Sequence, residues 1–247
     1  MPLEGKERSK IVDDVIAVRE KWHNKKHPFF AQLAQGKLPL RAVGVYMAQH
    51  YHFVKIAARS QWLVMYRAPA DVGKFVFENM AEEAGMIAGP GEDRHAHDHN
   101  ELIFRFCRAA GLSEAEVNAT KPTPAWWARA LHYHYTQMNE PIGVAMAMAS
   151  TQEGQQPALN TEVVIPALCK HYGYKETSKE IEFFTEHAIA DIDHSERQLA
   201  LTAKHVNTPE LHKRALEVAE EACKLRWDSI TDLYRFEFLK EKELLPA

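Results

Sequence analysis

Cysteine is scarce in this chain and its spacing suggests no pairing. Cys107, Cys169 and Cys223 make an odd number with no CxxC, which argues against a disulfide-stapled scaffold and leads us to expect a reduced, cytoplasmic protein. Long apolar runs are missing as well. The longest, IGVAMAMAS at 142–150, falls far short of the roughly 20 residues that cross a bilayer, and the opening MPLEGKERSK lacks the apolar core of a signal peptide. A basic excess is also absent: the formal charge is −4 and the isoelectric point about 6.4. With no basic run interleaved with aromatics, this balance excludes an electrostatic nucleic-acid binder. Alternating strand patterns, repeats, linkers and low-complexity tracts do not occur. Neither nucleic acid nor membrane is therefore an expected partner.

What remains is a helical chain with a substantial apolar fraction, 46%, and helical spacing almost throughout. Ile11, Val15, Val18 and Trp22 mark a helix over 5–23, and Pro28 and Gly36 bracket a short one within 25–39. Longer helices are expected over 40–67 and 70–84. A Gly- and His-rich loop follows over 85–99, then a helix over 99–110 and a short one opened by the capping pattern of Ser113 and Glu116. The segment 124–172 reads as helix interrupted by Pro141 and Pro157, and helices over 175–204 and 208–242 complete the chain. These elements predict one all-α domain spanning residues 1–247, built from seven or eight helices.

Histidine is abundant, with 14 residues, and the segment FFTEHAIADIDHSERQ shows where it matters. On one continuous helix at about 100° per residue, His187, Asp191 and His194 fall within roughly a 60° arc that Phe183 and Leu201 share. Burying two imidazoles and a carboxylate costs several kcal/mol unless something compensates, and a cation would compensate for all three. Further ligands are available elsewhere. Glu83 lies on the stripe of Val72, Val76 and Asn79, whereas Glu82 sits about 100° away. The loop offers His95, His97 and His99, of which His99 opens the next helix. Glu153 ends an apolar face that would carry Tyr135, Ile142, Met146 and Ala149 on a continuous helix. Pro157 removes the bond to its carbonyl, so a kink or unwinding is expected there. Glu83, His99, Glu153, His187, Asp191 and His194 together are too rich in carboxylate for a single zinc. They suit two iron or manganese ions in a helical bundle, with open positions for O2.

Motifs distributed along nearly the whole chain, HPFFAQLAQGKL, NMAEEAG, HNELIFRFCRAAGL, EGQQPAL, KHYGY and FFTEHAIADIDH, resemble the haem-oxygenase-like dinuclear iron oxidases. That family is related to pyrroloquinoline-quinone synthase and the TenA thiaminases, and it includes chlamydial p-aminobenzoate makers. The resemblance implies a seven-helix haem-oxygenase-like bundle around a central pocket. It also implies two metal sites, one from Glu83, His99 and His194 and the other from Glu153, His187 and Asp191. The family's p-aminobenzoate makers sacrifice a tyrosine of their own chain and use a nearby lysine; those positions are Phe30 and Val163 here, which argues against self-modification. Pyrroloquinoline-quinone synthase lacks the carboxylate set, and no cysteine here matches the thiaminase nucleophile.

The function expected on these grounds is an O2-dependent oxidase or oxygenase with two Fe(II) ions. It would act on a small organic substrate such as an amino acid or amine, by N-oxygenation, C–C cleavage or desaturation. Tyr46 and His50 are expected to line the pocket with Tyr135 opposite. A homodimer and an external electron donor complete the expectations. The rivals are a metal-free oxidase using His50, Glu83 and His194 as acid–base groups, and a non-enzymatic helical interaction module.

Overall fold

The computed structural model describes residues 9–89 and 97–242. The chain begins with α1 (Lys10–Lys21), α2 (Pro28–Ala34), α3 (Leu40–Arg67) and α4 (Ala70–Glu83). After the histidine-rich loop come α5 (His99–Ala109), α6 (Glu114–Ala119), α7 (Pro124–Asn139) and α8 (Ile142–Glu153). A distorted run then joins α9 (Gln156–Leu159) to α10 (Ile165–His171) through a π-turn at Asn160–Val164. The chain closes with α11 (Glu182–His187), α12 (Ala190–His205) and α13 (Pro209–Leu233). Among the described residues there is no strand.

The bundle is organised about α8, whose residues from Gly143 to Gln152 are all buried. A helix apolar on every side belongs at the centre of a domain. Helix α8 packs on α12 and α13, while α3 packs on α7, α5 and α4. Gly143 permits a close approach: a Cβ there would lie 2.8 Å from the backbone carbon of His205 and 2.9 Å from the amide nitrogen of Val206. That contact seats α8 against the end of α12, and these two helices carry much of the site.

Local signals explain most boundaries. The capping box of Ser113 and Glu116 is formed, the Ser113 amide donating to the Glu116 carboxylate at 2.8 Å. Helix α8 stops at Glu153, four residues before Pro157, so the expected unwinding is present. Two expectations need correction. The helix expected over 175–204 is two, because the chain breaks at Ala188–Ile189 between α11 and α12. The stripe running from Tyr135 to Glu153 does not exist, because Glu140 is extended and separates α7 from α8.

Candidate metal centre

The site begins with the closure of the histidine-rich loop. Two residues past the end of α4 stands Gly85, whose φ of +65° suits a residue without Cβ. A Cβ there would sit 2.6 Å from the amide nitrogen of Asp98, so the loop's two ends meet at Gly85. Asp98 then caps α5 by accepting from the Asn100 amide at 2.9 Å. This pinch sets the last residue of α4 beside the first of α5, and Glu83 Oε2 lies 2.9 Å from His99 Nδ1.

His187, at the end of α11, completes a first group with Glu83 and His99; one ligand atom from each lies within 4.8 Å of the others. Its Nδ1–H donates to the Phe183 carbonyl at 2.7 Å, which leaves Nε2 free. Burial pushes this imidazole below its ordinary pKa, so it favours the neutral ring that ligates a metal. A second group gathers Glu153, Asp191 and His194 within the same 4.8 Å limit. Gln198 holds Glu153 by donating Nε2–H at 2.9 Å. Burial pushes the Glu153 carboxyl up to about 8.

His194 is fully enclosed, at 1% exposure. Its Nε2 lies 2.7 Å from Glu82 Oε2. Its Nδ1 lies 3.4 Å from Asp191 Oδ1 and 4.0 Å from Glu153 Oε2, hydrogen-bonded to neither. Burial opposes a charged ring here, but the carboxylates of Asp191, Glu82 and Glu153 outweigh it and push the imidazole up to about 11. His99 behaves similarly: burial is outweighed by Glu83, Glu186 and Asp191, and its pKa rises to about 9. In both places buried carboxylates surround an imidazole and draw positive charge. An orphaned imidazole nitrogen among carboxylates, with only oxygen and nitrogen donors, fits hard to borderline cations such as Fe(II) or Mn(II).

The two imidazoles are exchanged relative to the arrangement the resemblance implied. His187 joins Glu83 and His99, and His194 joins Glu153 and Asp191. The helix break at Ala188–Ile189 accounts for this. His187 travels with α11, which packs on α5, whereas His194 travels with α12, which packs on α8. Of the loop histidines, His99 meets Glu83, His97 Nδ1 lies 2.5 Å from Glu186, and His95 falls outside the described residues.

A cavity of about 290 Å³ opens onto both groups, with Glu83, His187, Glu153 and Asp191 in its wall. His50 lines it as expected, but Tyr46 does not; it lines a smaller adjoining space with His50 and Phe30. Tyr135 is a correction, being 58% exposed. The inward face of α7 runs through Trp126, Ala130 and Tyr133, and Tyr135 lies about 200° round the helix from Tyr133. Tyr133 takes the place in the cavity wall.

Sequence reasoning also missed Glu82, Glu186, Arg129 and Arg226, all buried. Glu82 and Glu83 diverge around the end of α4 so that each serves one imidazole. The arginines could have been found: Arg226 lies on the stripe of Ala219, Ala222, Ile230 and Leu233, and Arg129 adjoins Trp126 and Ala130.

The model of a family described as iron-containing redox enzymes matches residues 45–227. A 4-aminobenzoate synthase from Nitrosomonas europaea is 26% identical over 231 residues, covering 90% of this chain and 89% of the relative. A 4-aminobenzoate synthase from Chlamydia muridarum is 22% identical, with 77% of each chain covered. Two solved structures share the fold. One, a domain of unknown function with a heme oxygenase-like fold from Shewanella denitrificans, matches with a TM-score of 0.72 at 18% identity, over 99% of this chain and 100% of that one. The other, a TenA homolog from Pseudomonas syringae, matches at 0.76 with 13% identity, over 95% and 97%.

Proposed function

The chain belongs to the family of iron-containing redox enzymes, and from that premise we propose that it is an O2-dependent oxidase or oxygenase working with two Fe(II) ions on a small organic substrate. One observation carries the reading: two groups of carboxylate and imidazole ligand atoms, Glu83–His99–His187 and Glu153–Asp191–His194, adjoin a single cavity. Bound iron would supply the electron transfer to O2 that oxidises the substrate.

The chain's own residues do the rest. His187 is fixed by the Phe183 carbonyl and by its ring stacked at 4.0 Å on Phe183, so Nε2 is presented without rotational freedom. Glu82 orients His194, and Gln198 orients Glu153. Such outer hydrogen bonds set ligand direction and basicity. Part of the α3 side of the cavity wall is apolar, with Phe53, Val54, Ala57 and Ala58. These residues hold the organic body of a substrate and limit water near the metals.

The curated relatives are named 4-aminobenzoate synthase. The resemblance sets Phe30 and Val163 at the positions of the tyrosine and lysine that p-aminobenzoate makers use, and Phe30 is buried with its ring 5.6 Å from Tyr46. We therefore assign the substrate role to a free molecule, an amino acid or amine that undergoes N-oxygenation, C–C cleavage or desaturation.

O2 consumption by the Fe(II)-loaded protein, screened across amino acids and amines, tests this. Uptake should depend on one substrate and vanish in Asp191→Ala. Uptake equal in that variant, or no substrate-dependent uptake across the panel, would count against the proposal.

A further inference from the structure

Two guanidinium groups stand in the cavity wall without an ion-pair partner among the described residues. Arg129 of α7 and Arg226 of α13 are 4% and 1% exposed, and both line the cavity that holds Glu83, Glu153 and Asp191. Every acceptor they reach is neutral. Arg129 Nη2 donates to Gln152 Oε1 at 3.1 Å. Arg226 Nη1 donates to the Gln152 carbonyl, and Nη2 to Gln156 Oε1 at 3.2 Å. Neither forms an ion pair among the described residues. Arg129 Nε and Nη1 and Arg226 Nε are buried with no hydrogen-bond partner, and so is His50 Nδ1 on the same wall.

A guanidinium does not shed its proton in a protein. Two of them converging on one glutamine carry two buried positive charges that repel each other. Phe53, whose ring centroid is 3.9 Å from the Arg129 guanidinium carbon, offsets part of that charge through its face. The unused N–H groups remain. Buried charges without a partner are destabilising, and unpaired buried donors add to this. An anion seated between the arginines would remove both costs.

We propose that the cavity selects a substrate bearing a carboxylate, held by Arg129 and Arg226, with the rest of the molecule directed toward the two metal-ligand groups. The inference rests on the proposed oxidase reading for the word substrate, but not for the binding itself. A carboxylate fits better than a phosphate ester: the same cavity already contains Glu83, Glu153 and Asp191, and a phosphate would bring a second negative charge among them. Guanidinium donors reward a carboxylate over its neutral isostere because charge-assisted bonds are roughly twice as strong.

The test uses the full chain without metal, so that its outcome does not depend on iron. Binding of benzoate and hexanoate is measured by titration calorimetry against benzamide and hexanamide, which match them in shape and lack the charge. At least one carboxylate should bind at least tenfold tighter than its amide. Arg129→Gln and, separately, Arg226→Gln should erase that preference while leaving amide binding within about twofold. Inorganic phosphate should compete weakly. Equal binding of acid and amide, no carboxylate binding below 10 mM, or phosphate binding tighter than both carboxylates would overturn the proposal. Equal binding of acid and amide by the unsubstituted chain overturns the proposal even if neither variant folds. If carboxylates bind selectively and O2 uptake is absent, the oxidase reading fails and this one stands; the reverse outcome separates them in the other direction.

Discussion

His194 and Glu82 are joined by a 2.7 Å hydrogen bond from Nε2–H to a carboxylate oxygen, and that bond leaves Nδ1 as the nitrogen facing Glu153 and Asp191. The ligand atom of one metal group is therefore chosen by a residue outside it. Carboxylate partners of ligating imidazoles typically account for 10–100-fold in metal affinity. Glu82→Ala should weaken metal binding at the Glu153–Asp191–His194 group by that factor, and Glu82→Gln, which retains an acceptor, by less. Fe(II) or Mn(II) titrations of the two variants check this; unchanged affinity in Glu82→Ala would mean that the bond only braces α4 on α12.

Glu153 shows the cost of the site in the absence of a cation. Burial disfavours its charged form, and the bond from Gln198 at 2.9 Å compensates only in part. An amide would keep an acceptor for Gln198 and discard the charge. Glu153→Gln should raise the stability of the metal-free protein by about 1–3 kcal/mol and lose most of the melting-temperature increment that metal gives the native chain. Thermal unfolding with and without Mn(II) reads both effects; a variant less stable than the native apo protein would make Glu153 a structural hydrogen-bond partner.

Outside the two metal-ligand groups, two buried histidines set a lower pH limit for the fold. His23 and His27 accept from the Lys25 and Phe29 amides through Nδ1, at 3.2 and 3.0 Å. Burial pushes them down to about 3 and about 4. The unfolded chain takes up these protons near pH 6.5, and the folded chain does not until about pH 4. Their contribution is therefore complete above pH 6.5 and is lost as the pH falls toward 4, at up to about 1.4 kcal/mol per pH unit for each histidine. His27→Asn keeps a capping oxygen without the titration. Its stability by urea unfolding should fall less steeply between pH 6.5 and 4.5 than that of the native chain; parallel slopes would contradict the assignment.

Gly143 tests the seating of α8 on α12. Because the clash of an added Cβ is with the backbone at His205 and Val206, Gly143→Ala should cost about 1–3 kcal/mol despite the gain in helix propensity. Metal affinity should fall with it, since the two helices carry Glu153, Asp191 and His194. A more stable Gly143→Ala would show that the helices can separate freely.

Periodicity makes the scaffold legible because most helices are amphipathic and end at visible signals: Pro39 and Pro69 bracket α3, and Asp98 caps α5. The six metal-ligand candidates are legible too, since an ionisable group on an apolar stripe must be compensated once buried, and a shared cation compensates several at once. What stays hidden depends on breaks in register. Extending a helix across Glu140–Pro141 places Tyr135 inside and passes over Tyr133. The grouping of His187 and His194 turns on a break at Ala188–Ile189 that no Gly or Pro announces. A single stripe allows one inward carboxylate and so sets Glu82 aside, whereas the end of a helix lying between two imidazoles can use both.

Iron stoichiometry separates a two-metal protein from every alternative. The full chain is loaded anaerobically with Fe(II), freed of unbound metal, and its iron counted per chain, beside Glu83→Ala and Glu153→Ala. About two irons are expected in the native protein and about one in each variant, since each removes a ligand from a different group. Iron at background in the native chain, or the same count in all three proteins, would contradict it.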